Sequence, residues 1–174
     1  MIISRIWAMP NKWTFKIKPI HDLIYRYLNN GIWIDPYCGL YSPARITNDL
    51  NPDVKADYHL DALDFLKSFK NDSIDGIFFD PPYSPRQVSE CYKGFGMKVT
   101  METTQQTFWS YQKDEIARIL KIDGLALCFG WNSMGINKNR GMEMIEVLLV
   151  PHGGNKNDTI VTVERKTSIN TKCP

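Results

Sequence analysis

The stretch Ile74 to Tyr83 constrains this chain most. Ile74 to Phe79 reads as a near-continuous apolar strand, closing on Ile77-Phe78-Phe79, and it runs directly into Asp80-Pro81-Pro82-Tyr83. A strand without polar alternation is one buried on both faces, and such strands belong to parallel sheets covered by helices. The two prolines then fix φ and remove two N–H donors, so the strand must end there. That punctuation alone demands only a turn. The residue types offer more. Asp80 brings a carboxylate acceptor to the carboxyl end of a buried strand, the carbonyls of Asp80 and Pro81 are free of ladder duty, and Tyr83 adds a flat aromatic face. Acceptors beside a stacking ring suit a planar exocyclic amino group, such as that of adenine, cytosine or guanine.

The rest of the chain alternates in the same sense. Ile20, Leu23, Ile24, Tyr27 and Leu28 share one helical face, and Asn29-Asn30-Gly31 stops that helix. Gly31 to Asp35 and Arg45 to Asn48 read as short strands, and Leu60 to Phe69 as a helix. A polar, glycine-containing stretch follows Tyr83 up to Gln106. Phe108 to Ile122 predicts a helix, Gly124 to Phe129 a buried strand, Gly130 to Gly141 a loop, and Met144 to Val150 with Thr159 to Glu164 a final pair of strands around Pro151 to Asp158. His152, beside Gly153 and Gly154, is expected in an exposed turn. These elements predict a single three-layer α/β domain over 1–174, its sheet mostly parallel with an antiparallel terminal strand. Ligands of such sheets sit beyond the carboxyl ends of the strands. Asp35, Asp49 and Asp80 all fall at strand ends, so the pattern brings three carboxylates to one edge.

Composition excludes little beyond that. With 43% hydrophobic residues and a net charge of +2, the chain can fill a core and carries no dedicated polyanion-binding excess. Cys38, Cys91, Cys128 and Cys173 form no zinc spacing, Cys128 and Trp33 read as core, and the three histidines are dispersed, so no metal site is expected. Nothing approaches a signal peptide or membrane span, and the expectation is a cytoplasmic protein with reduced thiols.

On these residues the chain resembles the S-adenosylmethionine-dependent amino-methyltransferases of the Asp-Pro-Pro-Tyr type, and specifically the small stand-alone adenine-N6 DNA enzymes of phages and prophages. The likeness runs from about Lys12 to Lys166 and implies a class I, Rossmann-like methyltransferase fold. It implies Asp80, Pro81, Pro82 and Tyr83 as the catalytic string. It implies that the backbone at Lys18-Pro19 and the turn Pro36-Tyr37-Cys38-Gly39 hold the methionine end of the cofactor, with Asp35 facing its ammonium. Asp49, with Leu50 beside it, falls where the family binds the ribose hydroxyls; by itself Asp49 equally opens an Asx turn. Asp61-Ala62 falls where the family reads the cofactor's adenine; by itself Asp61 equally serves a helix N-terminus. Asp80 borders this cofactor site as well. Ser84 and Arg86, with Trp131 and Asn132 after the fifth strand, would wall the substrate pocket together with Tyr83, and Lys93 could reach a phosphate.

Two features depart from the family. Between Asp35 and Asp49 only Leu40-Tyr41-Ser42-Pro43-Ala44-Arg45 stands where a glycine-rich turn and a helix are usual, so that helix is expected to be lost or cut to a turn. No insertion is long enough for a target-recognition domain. The target would therefore be a short or relaxed DNA site, or a homo-oligomer or specificity partner would supply the reading. Transfer to the N6 of adenine in DNA, with the base flipped out, is the reading carried forward. The alternatives are an RNA adenine-N6 or guanine-N2 methyltransferase, a cytosine-N4 DNA enzyme, and a catalytically silent subunit that keeps the fold.

Overall fold

In the computed structural model the described residues are 1–82, 84–94, 106–154 and 157–168. Tyr83 and Cys173 lie outside them, and the side chains of Cys91, Lys93 and Phe108 are likewise outside the description.

Seven strands form one sheet: β1 (Ile2–Arg5), β2 (Trp33–Asp35), β3 (Ile46–Thr47), β4 (Ile74–Phe79), β5 (Leu120–Gly130), β6 (Met142–Val150) and β7 (Thr159–Lys166), in the spatial order β1-β6-β7-β5-β4-β2-β3. β7 is antiparallel to both β5 and β6, and every other pairing is parallel. The carboxyl ends of the remaining six strands therefore share one edge of the sheet. This is the class I, Rossmann-like methyltransferase architecture, a mostly parallel sheet whose last strand in the chain, β7, inserts antiparallel between β5 and β6.

Period-two alternation divides the core between the two faces. Ile34, Ile77, Phe79, Ala126 and Cys128 point to one face, under α2 (Ala62–Lys67) and α4 (Gln106–Ile119), where Phe65, Leu66, Ile116 and Ile119 meet them. Trp33, Phe78, Leu127 and Phe129 point to the other, under α1 (Lys18–Tyr27), whose Ile20, Leu23 and Ile24 are buried against them. Trp33 stacks on Phe78 at 4.8 Å between ring centroids. Its indole lies flat over Gly76, where an added Cβ would come within 2.3 Å of the ring.

Several elements differ from the sequence expectation, each for a local reason. β1 was not expected. It pairs with β6 from Ile2↔Glu146 to Arg5↔Leu149 and becomes an edge strand, with Ile2 and Ile3 exposed on opposite faces. The stretch after Tyr83 holds α3 (Pro85–Gly94), started by the Ser84 hydroxyl accepting from Gln87 N–H at 3.2 Å and by Pro85 in the first turn. α4 ends at Ile119 and passes into β5 without a loop, while α2 spans only Ala62–Lys67. His152 is buried rather than in an exposed turn. It meets the Ala8 carbonyl through Nδ1 and the Thr159 hydroxyl through Nε2, both at 2.9 Å. As expected, residues 36–45 hold turns and no helix.

Candidate active site at the carboxyl edge of the sheet

Asp35 ends β2 and is wholly buried. Its Oδ1 accepts from Tyr37 N–H at 2.9 Å and its Oδ2 from the Ser42 hydroxyl at 2.6 Å. Burial pushes its carboxyl up to about 7 against these two hydrogen bonds, and the nearby Asp80 and Asp49 raise it further. The three strand-end acids thus lie close enough to feel one another. No lysine or arginine among the described residues forms an ion pair with Asp35 or Asp49. Burial, with Asp35 and Asp49, also lifts the Cys38 thiol to about 12, which disfavours its thiolate.

Asp49 stands after β3 and is half-buried. Its Oδ2 accepts from Gly39 N–H and its Oδ1 from Asn51 N–H, both at 2.9 Å. Gly39 adopts φ 51°, a left-handed conformation that glycine takes without strain. Asp49 therefore joins the turn after β2 to the end of β3. The fully buried Asn48, which the sequence reading passed over, does the same from within. Its Nδ2 donates to the carbonyls of Pro36 and Leu60 at 3.0 Å each, and its Oδ1 accepts from Leu60 N–H at 2.9 Å. Asp61 caps α2, its Oδ1 accepting from Leu63 N–H at 2.9 Å. Pro19 is buried in the first turn of α1, and Lys18 turns outward to Asp22 at 2.9 Å. Leu50 and Tyr37 are half-buried, and Pro36 and Ala62 are buried.

The other flank opens beyond β4 and β5. Asp80 is half-buried, Pro81 buried and Pro82 half-buried. Phe79, Pro81 and Pro82 line a pocket of about 460 Å³ whose other walls include Trp109, Lys113 and Trp131, with Asn132 at its rim. That volume is ample for a heterocyclic ring. Lys113, on α4, is half-buried, and its ammonium is pushed down from the usual lysine range mainly by burial. Arg140 frames the pocket by donating to Asp114 Oδ1 at 2.6 Å, to the Ser110 hydroxyl at 2.8 Å and to the Ile136 carbonyl at 3.2 Å. Buried Glu164 accepts from the backbone N–H groups of Ile136 and Asn137, holding the loop after β5 in place. Gln112 accepts from the Tyr37 hydroxyl at 2.8 Å and so links the two flanks. Arg86, one of the expected substrate residues, lies exposed on α3 and pairs with Glu90 at 2.8 Å. Among the described residues no cluster of three or more His, Cys, Asp or Glu could hold a metal ion, and no helix is long and apolar enough to cross a membrane.

No protein-family model matches the sequence, and no curated protein does. Solved structures resemble it in fold. A 1,6-didemethyltoxoflavin-N1-methyltransferase from Burkholderia thailandensis, seen with S-adenosylhomocysteine, superposes with a TM-score of 0.56 at 12% identity, over 85% of this chain and 76% of that one. A Haemophilus influenzae protein named as a methylase gives 0.54 at 12% identity, over 92% of each chain. A SAM-dependent methyltransferase from Methanosarcina mazei gives 0.52 at 13% identity, over 83% of this chain and 97% of that one. The fold these proteins share with the chain is the one that methyltransferases use.

Proposed function

We propose that the protein transfers a methyl group from S-adenosylmethionine to the exocyclic N6 of adenine in DNA, with the target base flipped out against Asp80 to Tyr83. The observation that carries this reading is the position of Asp80-Pro81-Pro82. It ends a buried strand on the ligand edge, between a cluster of acids on one side and an aromatic-walled pocket on the other. The Asp-Pro-Pro-Tyr string supports an amino acceptor, and the fold of the neighbouring structures supports the donor.

The residues fit that cofactor. Asp35 and Asp49 bring carboxyl groups to the edge, and no lysine or arginine among the described residues forms an ion pair with them, which suits a ligand bearing an ammonium and a sulfonium. When bound, S-adenosylmethionine supplies an electrophilic methyl group. The turn Pro36 to Gly39, held by Asp35, Asn48 and Asp49, would cradle its methionine end, and Asp49 and Asp61 would face the ribose and adenine.

On the acceptor side, the Asp80 carboxylate and the Pro81 carbonyl accept the two amino hydrogens and hold the nitrogen lone pair toward the donor. Tyr83 stacks on the base, a contact of about 1–3 kcal/mol. Asp80 would also take the proton that the amine sheds. Catalysis on this account is positioning and preorganised charge, with no covalent enzyme adduct. The test is to incubate the protein and labelled cofactor with unmethylated plasmid DNA and, separately, with ribosomal RNA, and to analyse the nucleosides. Label in N6-methyldeoxyadenosine is expected. Label confined to RNA, or to a cytosine product, would overturn the substrate assignment, and no transfer to any acceptor would overturn the activity.

A further inference from the structure

The N-terminal segment has no role in the site described above, yet it lies along the same edge. β1 runs parallel to β6, so its carboxyl end reaches the edge where Asp35, Asp49 and Asp80 stand. The chain then continues across that edge. Ile6 N–H donates to the Leu149 carbonyl at 2.9 Å and Ala8 N–H to the Pro151 carbonyl at 3.2 Å, and His152 holds the Ala8 carbonyl. At its far end Phe15 is buried beside Phe78 and Phe129, with ring centroids at 5.7 and 4.9 Å. Trp13 packs edge-on against Tyr41 at 5.5 Å. The path is thus anchored at both ends.

Several side chains along this path face solvent. Trp7 is 59% and Met9 69% exposed, and Arg5, Lys12 and Lys16 are exposed as well. Lys12 and Lys16 sit over the rings of Trp13 and Tyr41 at 4.9 and 4.2 Å. Trp7 has no such ring or cation partner among the described residues. Charge is strongly uneven along the chain. Met1 to Lys18 carries four cations and no acid, leaving 17 cations against 19 acids in the remainder. An exposed aromatic in a segment with cations and no acid, on a fixed backbone along the ligand edge of the sheet, is the chemistry that binds an unpaired polynucleotide strand. Two copies of this segment face to face would instead oppose like charges.

We propose that the chain from Arg5 to Lys16 is the contact surface for the DNA strand flanking the target base. Arg5 and Lys12 meet its phosphates, and Trp7 stacks on an unpaired base. The inference rests on the nucleic-acid reading above and deepens it by naming where the flanking strand is held.

The test is fluorescence anisotropy of a short labelled DNA single strand over a series of salt concentrations. It compares the wild-type protein with the double variant Arg5→Gln/Lys12→Gln and with Trp7→Ala. The double variant should flatten the dependence of log affinity on log salt by about 1.5, the release expected for two phosphate contacts. Trp7→Ala should weaken binding at fixed salt by about tenfold. Calorimetric titration with S-adenosylhomocysteine should be unchanged in both, which shows that the fold and cofactor site are intact. Strand binding with this pattern in a protein that binds no cofactor would sink the methyltransferase reading and uphold the Arg5 to Lys16 surface. Cofactor binding and transfer with an unaltered salt slope and unaltered strand affinity would overturn the Arg5 to Lys16 surface alone. A dimer in sedimentation that Trp7→Ala dissociates, with strand affinity unaffected, would also overturn it, in favour of a second copy as the occupant.

Discussion

The two flanks of the candidate site are built in different ways. On the cofactor flank, Asp35, Asn48, Asp49 and Asp61 bond backbone and side-chain groups that lie 2 to 12 residues away in the chain. On the acceptor flank the pocket joins Pro81, Lys113 and Trp131 from separate elements, and it is framed by Arg140 reaching Ser110 and Asp114 across 30 and 26 residues. The first flank is set by local hydrogen bonds and can form with its strands. The second exists only once α4 has docked on the sheet. Cofactor affinity should therefore tolerate disturbance of the acceptor flank, and acceptor binding should respond to changes far from the chemistry.

The largest effect expected on cofactor binding falls at Asp35 and sharpens this contrast. Its carboxyl is raised from 3.8 to about 7 mainly by burial. The proton is thus held more tightly in the fold than in the unfolded chain. Below about pH 4 both states keep that proton. As pH rises from there to about 7 the unfolded state releases it first and the fold loses stability; above about 7 the loss is complete. Asp35→Asn should lower cofactor affinity at least about tenfold, since it removes a charged partner. It should also raise the stability of the ligand-free protein at pH 8 by roughly 1–2 kcal/mol, the relief of the buried charge offset by one lost hydrogen bond. Thermal melts at pH 4 and pH 8 check the sign. An advantage at pH 4 that disappears at pH 8 would contradict the account.

Arg140→Ala probes the other flank. The variant leaves Asp114, the Ser110 hydroxyl and the Ile136 carbonyl without their donor. A cost of about 2 kcal/mol, or roughly 5 °C in Tm, is expected. KM for the nucleic-acid substrate should rise severalfold while the Kd for S-adenosylhomocysteine holds. Equal losses in both would erase the distinction between the flanks.

This difference also explains what the sequence disclosed. Asp35, Asp49 and Asp80 could be placed at one edge because each follows an apolar run, and strand ends in a parallel sheet share an edge. β4 was legible residue for residue, and the missing helix after Asp35 was visible as a short connection. The roles of Ser42, Asn48 and Lys113 were not legible, because nothing in the one-dimensional pattern distinguishes a buried polar clasp from a surface residue. β1 escaped notice since its four residues pair only with β6, more than 140 residues away. His152 was misread because its neighbours Gly153 and Gly154 do form an exposed turn, while the imidazole itself folds back onto Ala8.

The smallest effect is expected at Gly39→Ala. At φ 51° an alanine is strained by about 1 kcal/mol, although the nearest atom to its Cβ, on Trp13, lies at an easy 3.9 Å. A cofactor Kd raised only a few-fold, with acceptor KM unchanged, would confirm that the turn acts locally.

Asp80 stands on the border of the two flanks, and it gives the most direct test of the whole account. Calorimetric titration of S-adenosylmethionine into Asp80→Ala, run beside a label-transfer assay on unmethylated DNA, separates its two possible duties. The account predicts cofactor affinity within about threefold of wild type and transfer reduced by at least a hundredfold, the scale for losing a preorganised group at the reacting atoms. Cofactor affinity lost in step with transfer, or transfer retained, would contradict the assignment of Asp80 to the acceptor amine.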